Sequence, residues 1–185
     1  TNMGFFIDTT ITGADGLFGT TPDNLINKIK NFSHQSLDIN NFHLRDAYIT
    51  YSGIDNYVQF NLSYKMNVGT VILYNAQIQI QSTHSYLVQL FDSNNNEIIS
   101  QTKSFSSFLA PLTVGSFYDT NNANSEVTIA DPNYIQKHND LTLIEGQHIL
   151  TFTFSGLNET QYVRITNKSG NVNMVLGEIE IFEEA

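Results

Sequence analysis

The chain has 185 residues, of which 41% are hydrophobic and 14% are charged. This length fits one compact domain, and this composition is typical of a globular chain and not of a disordered one. The net charge of −10, with only eight Lys and Arg residues, argues against nucleic acid as a partner, because binding phosphates needs clustered basic side chains. The absence of cysteine excludes disulfides, Cys-ligated zinc and thiol catalysis.

No apolar run reaches the length that spans a bilayer, so we expect no direct membrane insertion. The sequence starts at Thr1 and shows no cationic segment followed by an apolar stretch, so we expect no signal peptide within it. We predict a single domain over residues 1–185 that forms a module of a larger protein.

The first predicted element is a short helix from Thr21 to about Lys30. Thr20 or Thr21 can cap it, and Pro22 suits its first position, where a missing N–H costs nothing. Residues 31–52 carry several aromatic and basic side chains without clear periodicity.

Alternation of apolar and polar residues predicts strands through most of the remaining chain. In residues 58–62 this pattern places Val58, Phe60 and Leu62 on one buried face. Residues 71–74 form a continuous apolar run, which is typical of a central strand, and residues 76–81 alternate again.

A hairpin is predicted next, with strands at 86–91 and 97–102 around the turn 92–96. Residues 148–154, 162–166 and 175–182 are predicted strands, and 167–171 a turn. In the last strand we predict Ile179 and Ile181 to point inward and Glu178 and Glu180 outward. Residues 104–140 are long, polar and loop-like, which is typical of a functional or oligomer-forming segment.

Eight or more strands with almost no helix predict an all-β fold, an antiparallel β-sandwich or jelly roll. Four parts of the chain also carry a family resemblance: 23–27, 56–62, 71–75 with 90–94, and 162–166 with 176–182. Their order resembles the galactose-binding-like sandwich of discoidin (coagulation-factor type C) domains, a family that includes carbohydrate-binding modules and fucose-binding lectins.

The resemblance implies a structural calcium ion that links the early loop to the last strand through oxygen ligands. Carried over by position, the ligands are the Asn24 carbonyl, the Asn27 side chain, the Ile29 carbonyl, the Gly177 carbonyl and Glu178. The alternative is that no ion binds and that Glu178 meets water or Lys28.

The resemblance also implies a sugar site, and sugar hydroxyls need planar hydrogen-bonding side chains together with an aromatic face. The candidate residues of these types are His43, Arg45, Asp46, Tyr51, Asn75, Gln77, His84 and Tyr118. On an extended backbone His43 and Arg45 project to the same side. The alternative is that Arg45 pairs with Asp46 or Asp38 and that His43 faces water.

No catalytic residues are predicted. The sequence contains no Gly-x-Ser-x-Gly and no His-x-x-x-His motif, and no facing pair of carboxylates can be identified.

The predicted function is therefore non-catalytic, lectin-like binding of a glycan or glycoprotein through loops at one end of the sandwich. We expect an extracellular, cell-surface or virion-associated protein with a part in cell adhesion. The alternative is a structural, oligomer-forming jelly roll of a viral or phage fibre or surface protein.

Overall fold

The computed structural model describes residues 10–13, 22–26, 48–49, 53–75, 84–105, 145–146, 149–170 and 174–184. These ranges form β1 (Thr10–Thr12), a 3₁₀ helix (Pro22–Ile26), β2 (Tyr48–Ile49), β3 (Tyr57–Asn75), β4 (His84–Phe91), β5 (Glu97–Phe105), β6 (Ile149–Thr153), β7 (Glu159–Asn167) and β8 (Val175–Glu183). All strand pairs among them are antiparallel. The predicted all-β antiparallel sandwich is confirmed. In the same ranges, no helix has the length and apolar character needed to cross a bilayer.

The strands form two sheets that share β3. The first sheet has the order β1-β3-β7-β4-β5, and the second has the order β2-β8-β3-β6. Residues 57–61 and 66–67 of β3 pair with β7, and residues 68 and 70–75 pair with β8. The two strands that the sequence predicts at 58–62 and 71–74 are therefore parts of one long strand.

β3 passes from one sheet to the other near Gly69. Its register shifts between Asn61 and Met66 and again between Val68 and Thr70. A Cβ atom at Gly69 would lie only 2.7 Å from Cβ of Glu184, closer than two carbon atoms normally approach. Glycine at this bend therefore allows the C-terminal end of the chain to pass directly over it.

The two sheets enclose one hydrophobic core. Val58 of the first sheet and Leu73 and Ile179 of the second are 0%, 0% and 1% exposed and belong to the same cluster. Leu25 of the 3₁₀ helix is also in this cluster. Burying each such side chain stabilises the fold by about 1.5–3 kcal/mol. The predicted inward faces of residues 58–62 and of Ile179 and Ile181 are confirmed.

Glu178 and Glu180 lie on the face of β8 opposite to Ile179, which is the predicted outward direction. That face is nevertheless not open to solvent, because their exposed fractions are 0% and 8%. Alternation along a strand determines which face a side chain lies on, whereas it does not determine whether that face is covered.

The edges of β5 and β6 are joined by side chains. Gln101 donates from Nε2 to the Thr153 carbonyl at 2.7 Å, and Lys103 donates to the Thr151 carbonyl. On the same edge, the Glu145 carboxylate accepts from the Thr151 backbone N–H at 2.7 Å and from its hydroxyl at 2.8 Å. Three backbone groups on this edge of β6 are thus occupied, namely the N–H and carbonyl of Thr151 and the carbonyl of Thr153, which makes the edge less open to pairing with another chain.

The predicted hairpin and the predicted helix start are confirmed. Asn95 in the turn between β4 and β5 adopts a φ of 63°, a left-handed conformation that asparagine tolerates. The Asp92 carboxylate accepts hydrogen bonds from Asn96 and Asn94, which lower its pKa below the usual range.

Pro22 begins the 3₁₀ helix, while residues 27–30 of the predicted helix and the predicted strand at 76–81 lie outside the described residues.

Candidate functional site

One end of the sandwich gathers the ends of seven strands. The pairs that place them there are Asn75 with Leu176, Ile49 with Val175, Tyr74 with Ile149, His84 with Phe105, and Tyr86 with Asn167. The hydrogen bonds from β5 to β6 run Gln101 to Thr153 and Lys103 to Thr151, so the C-terminal end of β5 lies beside the N-terminal end of β6. We call this the loop end, because the connections 76–83, 106–148 and 168–174 leave and return there.

Two of the predicted sugar ligands, Asn75 and His84, lie at the loop end. Asn75 is the last residue of β3 and is 1% exposed, and His84 is the first residue of β4 and is 7% exposed. Burial lowers the pKa of His84, which favours the neutral imidazole. Within the described ranges, His84 Nδ1 has no hydrogen-bond partner. Side chains with so little exposed surface are suited to supporting a site from beneath, and their contact with a sugar stays a prediction.

The other six predicted sugar ligands lie outside the described residues: His43, Arg45, Asp46, Tyr51, Gln77 and Tyr118. Gln77 follows the end of β3 by two residues, and Tyr118 belongs to the connection between β5 and β6. Tyr51 follows the end of β2, where Ile49 pairs with Val175 at the loop end. These three therefore belong to connections that start at the loop end, and their contacts stay predictions.

A polar network at the loop end was not predicted. The Ser85 backbone N–H donates to Ser169 Oγ at 2.7 Å, the Ser85 carbonyl accepts from the Lys168 N–H at 2.8 Å, and the hydroxyls of Ser85 and Ser104 lie 2.6 Å apart. Lys168 also forms a 2.6 Å ion pair with Asp55. The network attaches the turn after β7 to β4 and β5. Its short polar residues form no sequence motif, so only the strand register brings them together.

A buried acidic cluster lies on the outer face of the second sheet. Tyr74 pairs directly with Glu178 and donates a hydrogen bond to Glu180. Burial, together with the negative charges of Glu180 and Glu178, raises the pKa of Tyr74 far above its ordinary value. The phenol therefore keeps its proton and remains a donor.

Three of the five predicted calcium ligands, Asn24, Gly177 and Glu178, lie in the described residues, on the 3₁₀ helix and on β8. Gly177 and Glu178 belong to β8, and the 3₁₀ helix that contains Asn24 packs against β8. Asn27 and Ile29 lie outside the described residues. Across the described ranges, no three His, Asp or Glu side chains group closely enough to hold a metal ion. Glu178 would thus be the one charged ligand, with carbonyl and amide oxygens completing the set, as calcium accepts.

Comparison with known sequences finds no match: no protein-family model and no curated protein matches this chain. Comparison with solved structures does find matches over nearly the whole chain.

A fucose-binding module of Streptococcus pneumoniae superposes with a TM-score of 0.61 at 14% identity, covering 99% of this chain and 99% of that one. The family 32 carbohydrate-binding module of Clostridium perfringens NanJ, solved in complex with galactose, superposes with a TM-score of 0.62 at 9% identity, covering 99% and 100%. The lectin domain of lectinolysin, solved with the Lewis b antigen, gives a TM-score of 0.59 at 16% identity, covering 96% and 94%. The chain therefore has the galactose-binding-like β-sandwich fold of the discoidin-type domains.

Proposed function

We propose that this chain is a non-catalytic carbohydrate-binding domain that holds a glycan at the loop end. The observation that carries the proposal is the match, over at least 94% of both chains, to three domains whose names or bound ligands are sugar-related. Because a fold alone does not establish a function, the proposal also needs a site. The gathering of seven strand ends supports the loop end as that site, since rigid strands there hold the connections to which Gln77, Tyr118 and Tyr51 belong.

The candidate ligands are of types that suit a neutral sugar. His43, Arg45 and Gln77 carry planar hydrogen-bonding groups, and Tyr51 and Tyr118 carry aromatic faces for the C–H side of a pyranose ring. In this proposal Asn75 and His84, at the ends of β3 and β4, support the site from below. Since such glycans are displayed on surfaces, we place the domain outside the cell or on a cell or virion surface.

A hydrolytic role is less well supported. Glycoside hydrolysis uses two carboxylates on facing walls of a cleft. Glu178 and Glu180, the buried carboxylates of the described ranges, extend from one face of one strand, and Tyr74 hydrogen-bonds one of them. Two carboxylates on one face of one strand do not form facing walls, so this arrangement suits packing of the second sheet better than acid–base catalysis.

The proposal is tested by glycan-array screening followed by calorimetric titration with L-fucose, D-galactose and the Lewis b oligosaccharide. We expect Arg45→Ala and Tyr51→Ala to weaken binding at least tenfold, which corresponds to about 1.4 kcal/mol. The matched control is Lys65→Ala, because Lys65 lies near the bend of β3 and makes only a 3.3 Å surface ion pair with Glu159. Its affinity should stay within twofold of the unchanged protein.

Failure to bind any glycan on the array would overturn the proposal. Full binding by both substituted proteins would show that Arg45 and Tyr51 do not hold the sugar, and full binding by Tyr51→Ala alone would argue against the connection after β2 as part of the site. A stable trimer that binds no glycan would instead support the fibre-type structural domain considered from the sequence.

We also propose that a calcium ion stabilises the junction of the 3₁₀ helix and β8 through Glu178. Calcium at about 100 times its Kd should add roughly 2.7 kcal/mol, which raises Tm by about 5–10 °C for a chain of this size. Scanning calorimetry in calcium and in EGTA measures the difference. Glu178→Gln should abolish it and Glu183→Gln, a partly exposed control in the same strand, should retain it. Equal Tm values in the two buffers would contradict the proposal.

A further inference from the structure

A row of five polar side chains crosses the outer face of the first sheet. The register pairs its members directly across β1, β3, β7, β4 and β5: Thr12 with Gln59, Gln59 with Arg164, Arg164 with Gln89, and Gln89 with Ser100. All five lie opposite the core side of their strands, and none is buried. We call this set the polar row.

Arg164, at the centre of the polar row, is held in one orientation. Its Nε and Nη2 donate to Gln59 Oε1 at 2.9 Å and 2.8 Å. Its Cζ atom lies 4.7 Å from the centroid of the Tyr57 ring and 4.8 Å from that of Phe91. Tyr57 belongs to β3 and Phe91 to β4, the two neighbours of β7, so the rings approach from both sides. A guanidinium fixed in this way loses little side-chain entropy when it binds a ligand.

Arg164 also differs from the other basic side chains of the described ranges in its surroundings. Lys65 and Lys168 form ion pairs with carboxylates, and Lys103 points between the sheets to a backbone carbonyl of β6. In those ranges, no carboxylate lies within ion-pair distance of Arg164, whose acceptor is a neutral amide. Within the described ranges Nη1 makes no hydrogen bond, and a planar guanidinium can bind a carboxylate through two parallel N–H groups.

The groups beside Arg164 suit a sugar. Gln59, Gln89, Thr12 and Ser100 offer neutral donors and acceptors, and the Tyr57 ring is 47% exposed. Neighbouring strands lie about 4.8 Å apart, so the row repeats at a spacing close to the length of one pyranose ring. A pyranose with hydroxyl groups around its ring and a carboxylate at one edge matches this row, because the hydroxyl groups can meet the neutral side chains while the carboxylate meets Arg164.

We propose that the polar row is a second binding site, separate from the loop end, for a sugar that bears a carboxylate, with the carboxylate on Arg164. The position of Glu97 determines which way the ligand lies along the polar row. It accepts from Gln89 Nε2 at 2.7 Å and from Ser100 Oγ at 3.0 Å, so its negative charge lies at the β5 side of the row. The ligand carboxylate therefore lies over β7 and β3, and its hydroxyl groups extend towards β4.

The site is tested by two-dimensional NMR of the ¹⁵N-labelled full chain. The probes are methyl β-D-glucuronide and N-acetylneuraminic acid, with methyl β-D-glucoside as the neutral match and sodium acetate as the bare carboxylate. We expect the acidic sugars to shift the Arg164 Nε–H signal and the Gln59 and Gln89 side-chain amide signals. The glucoside and acetate should each bind at least tenfold more weakly.

Three variants sharpen the test. Arg164→Gln should weaken binding of the acidic sugar at least tenfold, whereas Lys65→Gln, which removes the same charge elsewhere on the surface, should leave it within twofold. Glu97→Gln should strengthen it several-fold, because it removes a nearby negative charge and keeps an acceptor. The Arg164 Nε–H signal of the unchanged protein tests the contact directly even if Arg164→Gln fails to fold.

Several outcomes would overturn the proposal. Acidic sugars that leave the Arg164 signal unmoved would do so, as would acetate that binds as tightly as the glucuronide. Shifts confined to loop-end residues such as Ser85 and Asn167, retained in Arg164→Gln, would assign the acidic sugar to the loop end. That result would leave the proposed carbohydrate-binding function intact.

Discussion

Replacing Phe60 by alanine is expected to lower the free energy of unfolding by about 3–5 kcal/mol. Phe60 is 1% exposed and lies in β3, which pairs there with both β1 and β7. Its loss leaves a cavity under the middle of the first sheet, where neighbouring strands cannot close without breaking their register. Because natural domains are stable by only about 5–15 kcal/mol, the change removes a large share of the total. The change in the free energy of unfolding is measured by urea denaturation, with circular dichroism as the signal.

Tyr64→Ala is the matched control for Phe60→Ala. Tyr64 is an aromatic residue of the same strand that is 46% exposed, so its removal should cost about 1 kcal/mol or less. If the two substitutions cost the same, the assignment of Phe60 to the core face of β3 would be wrong.

Tyr74→Phe is expected to lower the free energy of unfolding by about 1.5–3 kcal/mol, the range for a hydrogen bond to a charged group. The hydroxyl of Tyr74 donates to Glu180, which is only 8% exposed, so water cannot easily replace it. Tyr162→Phe, at a partly exposed tyrosine of β7, should change stability little.

A double-mutant cycle isolates the contact between Tyr74 and Glu180. In the background of Glu180→Gln, the cost of Tyr74→Phe should shrink, because a neutral amide is a weaker acceptor than a carboxylate. An equal cost in both backgrounds would show that Tyr74 contributes through other contacts.

The contact between Tyr74 and Glu180 also predicts that the folded protein loses stability at alkaline pH. Burial first, then the charges of Glu180 and Glu178, raise the pKa of Tyr74 in the folded state. Above about pH 10 the unfolded chain loses this proton while the folded chain keeps it. The stabilisation is therefore complete below pH 10 and falls as the pH rises above it. Tyr74→Phe should make the decline less steep.

Most of the strands and their inward faces were predictable from local pattern, whereas the short strands β1 and β2 were not predicted. Val58, Phe60 and Leu62 alternate with polar residues, and the direction of a strand side chain follows from its position alone. The turn at Asp92–Asn96 was predictable as well, because short polar side chains favour left-handed backbone. The site was predictable only as residue types, since six of the eight candidate sugar ligands lie outside the described ranges.

Features that depend on distant parts of the chain were not predictable. Arg164 meets Tyr57 and Phe91 only because β7 lies between β3 and β4 in a particular register. Glu178 and Glu180 are buried because the outer face of β8 is covered, which no repeat of period two can reveal.

Some features of this protein therefore follow from the local sequence, and others only from the tertiary structure. The sequence by itself determined where the longer strands from β3 onward run, which way Val58 or Ile179 points and where a tight turn such as 92–96 must lie, because these depend on neighbouring residues. The tertiary structure alone decided that β3 belongs to both sheets, that seven strand ends meet at one end and that an arginine lies between two rings. These depend on sheet order and register, which arise from contacts between residues far apart in the chain.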